Sequence, residues 1–388
     1  MVKLGAENLL REKPHWFKKA KIGLLVNQAS ILGDYSHVKD VLLKEGAQIK
    51  VIFTPQHGFW GDKQANMDES PDDVDPSTEV PIISLYSERR EPPEELMEKI
   101  DILLVDLQDV GTRVYTFAST VALCMKVASK TSTRIVVLDR PNPIGGEAVE
   151  GNVLNLEFES FVGLFPVPMR HGLTLGELML MARREFGYDC DLEVIPLKGW
   201  RREFLFPDCE LPWVLPSPNM PSFITSLVYP GQVIWEGTNI SEGRGTTRPF
   251  EFMGAPFINP GRLKEKLNEV NLPGVFLRVT AFRPTFDKWA GELCRGFQLH
   301  VTDSKSFKPY FTSLALLWAI LEVYGEIFEW LPPPYEYEYR KLPIDIILGD
   351  DSVRLALESG THPEDIENDW QKQLDDYMDI RENTMMYV

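Results

Sequence analysis

The chain has 388 residues, more than one comfortable hydrophobic core extends over, so two domains are expected. With 58 acidic against 40 basic side chains the formal charge is −18, which excludes nucleic acid and an anionic membrane surface as partners, since both demand a basic face. Hydrophobic residues at 44% and charged residues at 25% are those of a soluble globular enzyme, and no apolar run approaches the ~20 residues of a bilayer span. The N-terminal MVKLGAENLLREKPHWFKKAK carries charge throughout and lacks an apolar signal core. Cys124, Cys190, Cys209 and Cys294 form no CxxC pair. Reduced, mostly buried thiols and a cytoplasmic location for the chain as written are the expectation.

Short apolar runs at 21–27 (KIGLLVN), 48–54 (QIKVIFT), 81–85, 101–107 (DILLVDL) and 134–138 (RIVVL) read as strands, with helical patterns at 34–45 and 115–129. Continuous apolar strands alternating with helices predict a parallel sheet covered on both faces, a Rossmann-like α/β domain. Ligands of such sheets bind outside the carboxyl ends of the strands. Four of those ends carry polar, loop-forming residues: Asn27-Gln28, Pro55-Gln56-His57-Gly58, Asp106-Leu107-Gln108-Asp109 and Asp139-Arg140-Pro141-Asn142-Pro143. Each alone is weak, because Asp after a strand is more often a cap or turn former. Their coincidence is the signal. The first strand is followed by NQASILG rather than G-x-G-x-x-G, and no G-x-x-x-x-G-K-[ST] occurs, so neither a dinucleotide nor a P-loop nucleotide is expected. The acidic run DESPDDVD at 68–75 reads as a solvated loop.

Residues 144–170 are irregular, and Met169-Arg170-His171-Gly172 precedes a helix at 174–185 that opens on a capping-box pattern, Thr174 with Glu177. A strand at 191–196 leads to LPWVLPSPNMPS at 211–222, where Trp213 and Asn219 stand in either a packed connector or a sugar-stacking wall. The segment YPGQVIWEGTNISEGRGTTRPFE at 229–251 holds Glu236, Glu242 and Glu251, Arg244 and Arg248, and Asn239. Its glycines disfavour helix by about 1 kcal/mol each. A short strand at 232–235 running into a glycine-hinged ligand loop is the expectation. Beyond it lie antiparallel strands at 275–282 and 296–301, an amphipathic helix at 306–324, PPPYEYEYRK, and helices at 351–358 and 363–381. This is a smaller α+β domain. A boundary at 228 gives domains 1–228 and 229–388, with the site in the cleft between them.

The polar inventory is rich in carboxylates, and no G-x-S-x-G elbow supports acyl transfer. A metal site from His57, Asp106, Asp109 and Asp139 has no H-E-x-x-H or comparable spacing behind it. Paired carboxylates are what glycoside cleavage needs, one to give a proton to the leaving oxygen and one as base or nucleophile. Trp60, Trp213 and Trp235 are candidates to stack on sugar faces.

The strings TPQHGFWGDKQA (54–65), DLQDVGTRVYTF (106–117), LDRPNPIGGEAVEG (138–151), PMRHGLTLGEL (168–178), LPWVLPSPNMPS (211–222), the 229–251 segment and KLPIDIILG (341–349) occur in order. Together they closely resemble the family once called DUF1343, now associated with exo-β-N-acetylmuramidases of the NamZ type. The resemblance implies a Rossmann-like N-terminal domain, a smaller C-terminal domain and a cleft between them. It also implies release of N-acetylmuramic acid from the non-reducing end of peptidoglycan fragments, with an amino-sugar or muropeptide partner and no cofactor. The family motif reads P-E-H-G, and its Glu is the foremost catalytic candidate; here that position is Gln56, an amide that cannot exchange the proton. Beside Gln56 and His57, the resemblance leaves Glu236, Glu242, Glu150, Asp106 and Asp139 to do the acid/base work. It carries substrate contacts to Asp109, Arg113, Tyr115, Asp139, Arg140, Asn142, His171, Asn219, Asn239, Arg244 and Arg248. Trp60 stands where the family pattern has Arg. Two other readings stay open: a catalytically weakened sugar-binding homologue, motivated by Gln56, and a metal-dependent hydrolase.

Overall fold

The computed structural model describes residues 1–65 and 67–388. The chain runs α1 (Gly5–Glu12), β1 (Lys21–Val26), α2 (Val38–Lys44), β2 (Gln48–Thr54), β3 (Asp73–Val74), β4 (Pro81–Ser84), α3 (Glu94–Met97), β5 (Ile102–Asp106), α4 (Phe117–Ala128) and β6 (Arg134–Leu138). A hairpin-like pair β7 (Glu150–Val153) and β8 (Pro168–Arg170) follows, then α5 (Leu175–Glu185) and β9 (Leu192–Ile195). The remainder is α6 (Phe223–Gln232), β10 (Phe252–Ala255), α7 (Pro260–Leu267), β11 (Val275–Phe282), β12 (Cys294–Val301), α8 (Pro309–Tyr324), α9 (Pro343–Leu348), α10 (Ser352–Glu358), α11 (Pro363–Asp369) and α12 (Gln371–Glu382).

The main sheet has the order β3-β4-β2-β1-β5-β6-β9 and is parallel throughout except for β3. Side chains alternate across it as the period of a strand requires. Ile22, Leu24, Val26, Leu104 and Val136 pack on one face, and Leu25, Leu103, Val105 and Val137 on the other. The second core does not stop at the sheet. It continues through α4 and α5 into Trp235, Phe311 and Leu316 of the C-terminal part, which carries its own antiparallel sheet β10-β12-β11. The capping box forms as its sequence pattern demands: Glu177 N donates to Thr174 Oγ1 at 3.2 Å and Thr174 N to the Glu177 carboxylate at 3.0 Å.

Three elements differ from expectation. The acidic run ends in β3, whose two residues edge the main sheet. The helix at 306–324 is buried nearly all round rather than amphipathic, because α6, α7, α10 and α11 surround it. Residues 232–235 form no strand; α6 runs straight into a 3-10 turn, Val233–Gly237. Glycine permits this instead of forbidding it, since a Cβ on Gly231 would lie 1.9 Å from the Pro309 carbonyl oxygen of α8. Gly231→Ala is therefore expected to cost about 1–3 kcal/mol or more through overpacking, read as a lower urea midpoint at unchanged slope.

Candidate active site

The strand order reverses between β1 and β5, the place where a doubly wound sheet ordinarily takes its ligand. Here the chain fills that crevice itself. Asn27 Nδ2 donates to the Pro216 carbonyl at 3.0 Å, and Arg140 holds Asp106 through Nε and Nη2 at 2.5 and 3.0 Å while reaching the Ile31 carbonyl at 2.7 Å. Asp139 accepts from Thr174 Oγ1, Gly176 N and Tyr387 Oη at 2.7, 2.9 and 2.6 Å. Asp109 accepts from Gly111 N at 2.7 Å, and burial pushes its carboxyl up to about 7. Asn142 ties Ile144 N to the Leu173 carbonyl, and burial pushes the neighbouring His171 imidazole down to about 3.

Two more predicted site residues tie the halves together. Arg113 donates to the carbonyls of Asn152 and Val167 on one side and of Ile347 and Leu348 on the other. Glu150 accepts from Phe311 N at 2.8 Å. Asp106, Asp109, Arg113, Asp139, Arg140, Asn142, Glu150 and His171 are each more than nine-tenths buried, and none lines the pocket described next. The sequence points to them as catalytic or binding groups; in the fold their partners are the chain's own backbone and side chains, at the strand ends and the seam.

The pocket opens at the end of β2. Gln56 and His57 come from that strand end, Tyr115 and Thr116 from the lead into α4, and Asn219 from the proline-rich connector. Glu236 comes from the turn after α6, Arg244 from the glycine-rich loop, and Tyr335 and Glu336 from the PPPYEYEYRK segment. The free space among these side chains is ≈ 30 Å³, room for one or two waters. Glu236, Arg244 and Tyr335 also line an adjoining hollow of ≈ 370 Å³, and Asn219 lines a groove of ≈ 640 Å³.

A chain of charges crosses this wall. Glu236 accepts from Tyr335 Oη at 2.7 Å and pairs with Arg244 Nη2 at 2.6 Å. Arg244 Nε reaches Glu242 at 3.1 Å, and Lys288 closes the chain on Glu242 at 2.6 Å while donating to the Trp235, Thr238 and Ile240 carbonyls. Burial works against the charge on Glu242, but Lys288 and Arg244 outweigh it and hold the carboxyl below its ordinary range. Glu242 is 1% exposed, so it serves as Arg244's anchor beneath Glu236.

Across the pocket the electrostatics reverse. Glu336 is 3% exposed, and the cation whose charge reaches it is Arg90, which works against the effect of burial. Tyr86 Oη donates to its Oε2 at 2.7 Å and Gln56 Nε2 to its Oε1 at 3.3 Å. Burial, aided by the charge of Glu236, pushes the carboxyl up to about 7. Gln56 in turn accepts from Thr116 Oγ1 at 2.7 Å. His57 stands in the left-handed region (φ 71°) with Nδ1 on the Lys63 carbonyl at 2.7 Å, and burial pushes its imidazole down to about 4. It is neutral at pH 7, with Nε2 left as an acceptor.

Of the residues predicted from sequence, Gln56, His57, Tyr115, Asn219, Glu236 and Arg244 meet in this pocket, and Glu242 backs it. Arg248 is half exposed on Glu251, and Asn239 donates to the Ile327 carbonyl; neither lines it. Trp235 is fully buried on Gln232, Trp213 packs edge-on to Phe206 in a connector, and Trp60 is exposed outside the pocket, so none of the three lines it. Among the described residues no three His, Cys, Asp or Glu side chains gather as a metal would require. No described helix is long and apolar enough to cross a membrane.

The family described as exo-β-N-acetylmuramidase NamZ matches with its N-terminal part over residues 22–224 and with its C-terminal part over 227–387. The chain is 42% identical over 388 residues to the peptidoglycan β-N-acetylmuramidase NamZ of Bacillus subtilis (strain 168), covering 100% of this chain and 91% of that protein. It is also similar to two crystal structures of DUF1343 family proteins from Bacteroides fragilis NCTC 9343, at TM-scores of 0.89 and 0.78. Each is 29% identical, with 100% of this chain and 99% of the other covered. The chain belongs to the exo-β-N-acetylmuramidase NamZ family.

Proposed function

We propose that this member of the family hydrolyses the β-glycosidic bond of N-acetylmuramic acid at the non-reducing end of peptidoglycan fragments, in the pocket at the end of β2. The observation that carries the reading is a pair of carboxylates on one pocket in opposite surroundings. Glu236 is ion-paired to Arg244, while Glu336 has only neutral donors and is pushed up to about 7 by burial and by Glu236. A carboxyl pushed up by burial on the same pocket as an ion-paired carboxylate is the arrangement that acid/base division in glycosidases uses. The named activity of the Bacillus subtilis relative supports the same substrate class.

Purified protein is expected to liberate the phenol from a chromogenic aryl β-glycoside of N-acetylmuramic acid, and free N-acetylmuramic acid from a disaccharide bearing it at the non-reducing end. No release from either compound at micromolar enzyme would refute the hydrolase reading. Gln56 motivates a second reading, a sugar-binding protein with weakened turnover. That reading predicts millimolar or tighter sugar binding by calorimetry and a strong rise in hydrolysis in Gln56→Glu.

A further inference from the structure

Glu336 lies in PPPYEYEYRK, a segment to which the sequence assigns no element. In the fold it sits at the tip of a two-residue hairpin: Tyr335 N donates to the Glu338 carbonyl and Glu338 N to the Tyr335 carbonyl, both at 2.9 Å. Both tip residues have positive φ, 46° at Glu336 and 69° at Tyr337. That geometry belongs to type I′ turns, which strongly prefer Asn and Gly. Placing Glu and Tyr there strains the backbone, since L side chains disfavour the left-handed region, and strain of this kind gathers at functional sites. The tip is held by Arg90, whose guanidinium lies 4.1 Å from the Tyr86 ring and 3.8 Å from the Tyr337 ring, and by Tyr337 Oη on Glu69 at 2.8 Å. The result is to aim one carboxyl group into the pocket that Glu236 also lines.

The groups facing that carboxyl are Tyr86 and Arg90 from one side, Gln56 from β2, and Glu236 with Arg244, Tyr229 and Tyr335 from the far wall. A carboxylate at position 56 would meet Glu336 at about the 3.3 Å now spanned by the amide, and two carboxylates that close cannot both ionise. The amide removes that competition and supplies a donor to Oε1.

On the glycosidase reading given above, we propose that Glu336 is the proton donor of this enzyme and that Gln56 is its positioning residue. The proton on the Glu336 carboxyl passes to the glycosidic oxygen as the bond from C1 to that oxygen breaks. The bonding pair leaves with the oxygen, and Glu236 stabilises the positive charge that develops at C1. Water then forms the new bond to C1, and its released proton returns to Glu336. Bonds and protons balance with water as the only co-reactant.

The test compares wild type and Glu336→Gln on two leaving groups, a sugar alcohol and 2,4-dinitrophenol, whose departure needs no proton. For the sugar leaving group kcat/KM is expected to fall about 10²–10⁴-fold, and for dinitrophenol less than about tenfold. Undiminished cleavage of the disaccharide, or equal losses on both substrates, would overturn the assignment. A wild type that cleaves neither substrate would instead sink the glycosidase reading itself. If Glu336→Gln does not fold, Gln56→Ala answers the same question. Loss of the amide donor raises the proton affinity of Glu336, so the alkaline limb of kcat/KM moves to higher pH. A limb that stays in place would count against the proposal.

Discussion

Glu236→Gln is expected to lower kcat for release of N-acetylmuramic acid by at least about 10³-fold while leaving KM little changed. The amide is isosteric, keeps an oxygen for the Tyr335 hydroxyl and leaves Arg244 its second partner Glu242, so the fold is retained at some cost in stability. What disappears is the negative charge facing Glu336 and the developing positive charge at C1. That charge acts only as the bond breaks, so its loss belongs in kcat. The loss should not depend on leaving group, in contrast to Glu336→Gln. Steady-state kinetics on the aryl glycoside, with circular dichroism to confirm folding, checks both points; a loss below tenfold would remove Glu236 from the chemistry.

The second large effect is on stability. Arg244→Met is expected to cost about 3–5 kcal/mol, because a buried guanidinium is removed from between two carboxylates. Arg244 is 7% exposed and bridges Glu236 at 2.6 Å and Glu242 at 3.1 Å. Without it Glu242 keeps Lys288, whereas Glu236 keeps the Tyr335 hydroxyl. Adding Glu236→Gln to Arg244→Met should recover part of the loss, since one uncompensated charge goes with it. Urea denaturation of the two single variants and the double measures the coupling; a cost below 1 kcal/mol for Arg244→Met would contradict the bridging role.

Much of the fold could be read from residues because burial and period agree there. Residues 48–54 and 134–138 match β2 and β6 end for end, since their apolar runs are buried within the parallel sheet. The ligand-bearing strand end was harder to choose. Asn27, Gln56, Asp106 and Asp139 look alike in sequence, and only packing decides which faces a pocket and which locks onto Pro216, Arg140 or Tyr387. Glu336 was invisible for a different reason. Its hairpin has neither Gly nor Asn at the tip, so the usual turn signal is missing. A better clue was the alternation Tyr335-Glu336-Tyr337-Glu338, unusual beside three prolines in a segment with no predicted element. At 232–235, the apolar Val-Ile-Trp run suggested a strand, but the close approach of α6 to α8 at Gly231 settled a helix and turn.

The most direct test of a working muramidase pocket built on Glu236 and Glu336, with an amide at position 56, is the product spectrum. Peptidoglycan fragments with N-acetylmuramic acid at the non-reducing end are incubated with wild type and with Glu236→Gln, and the products are separated and identified by mass spectrometry. Free N-acetylmuramic acid with the correspondingly shortened fragment is expected from wild type, and neither from Glu236→Gln. Fragments recovered intact after prolonged incubation with wild type would contradict it.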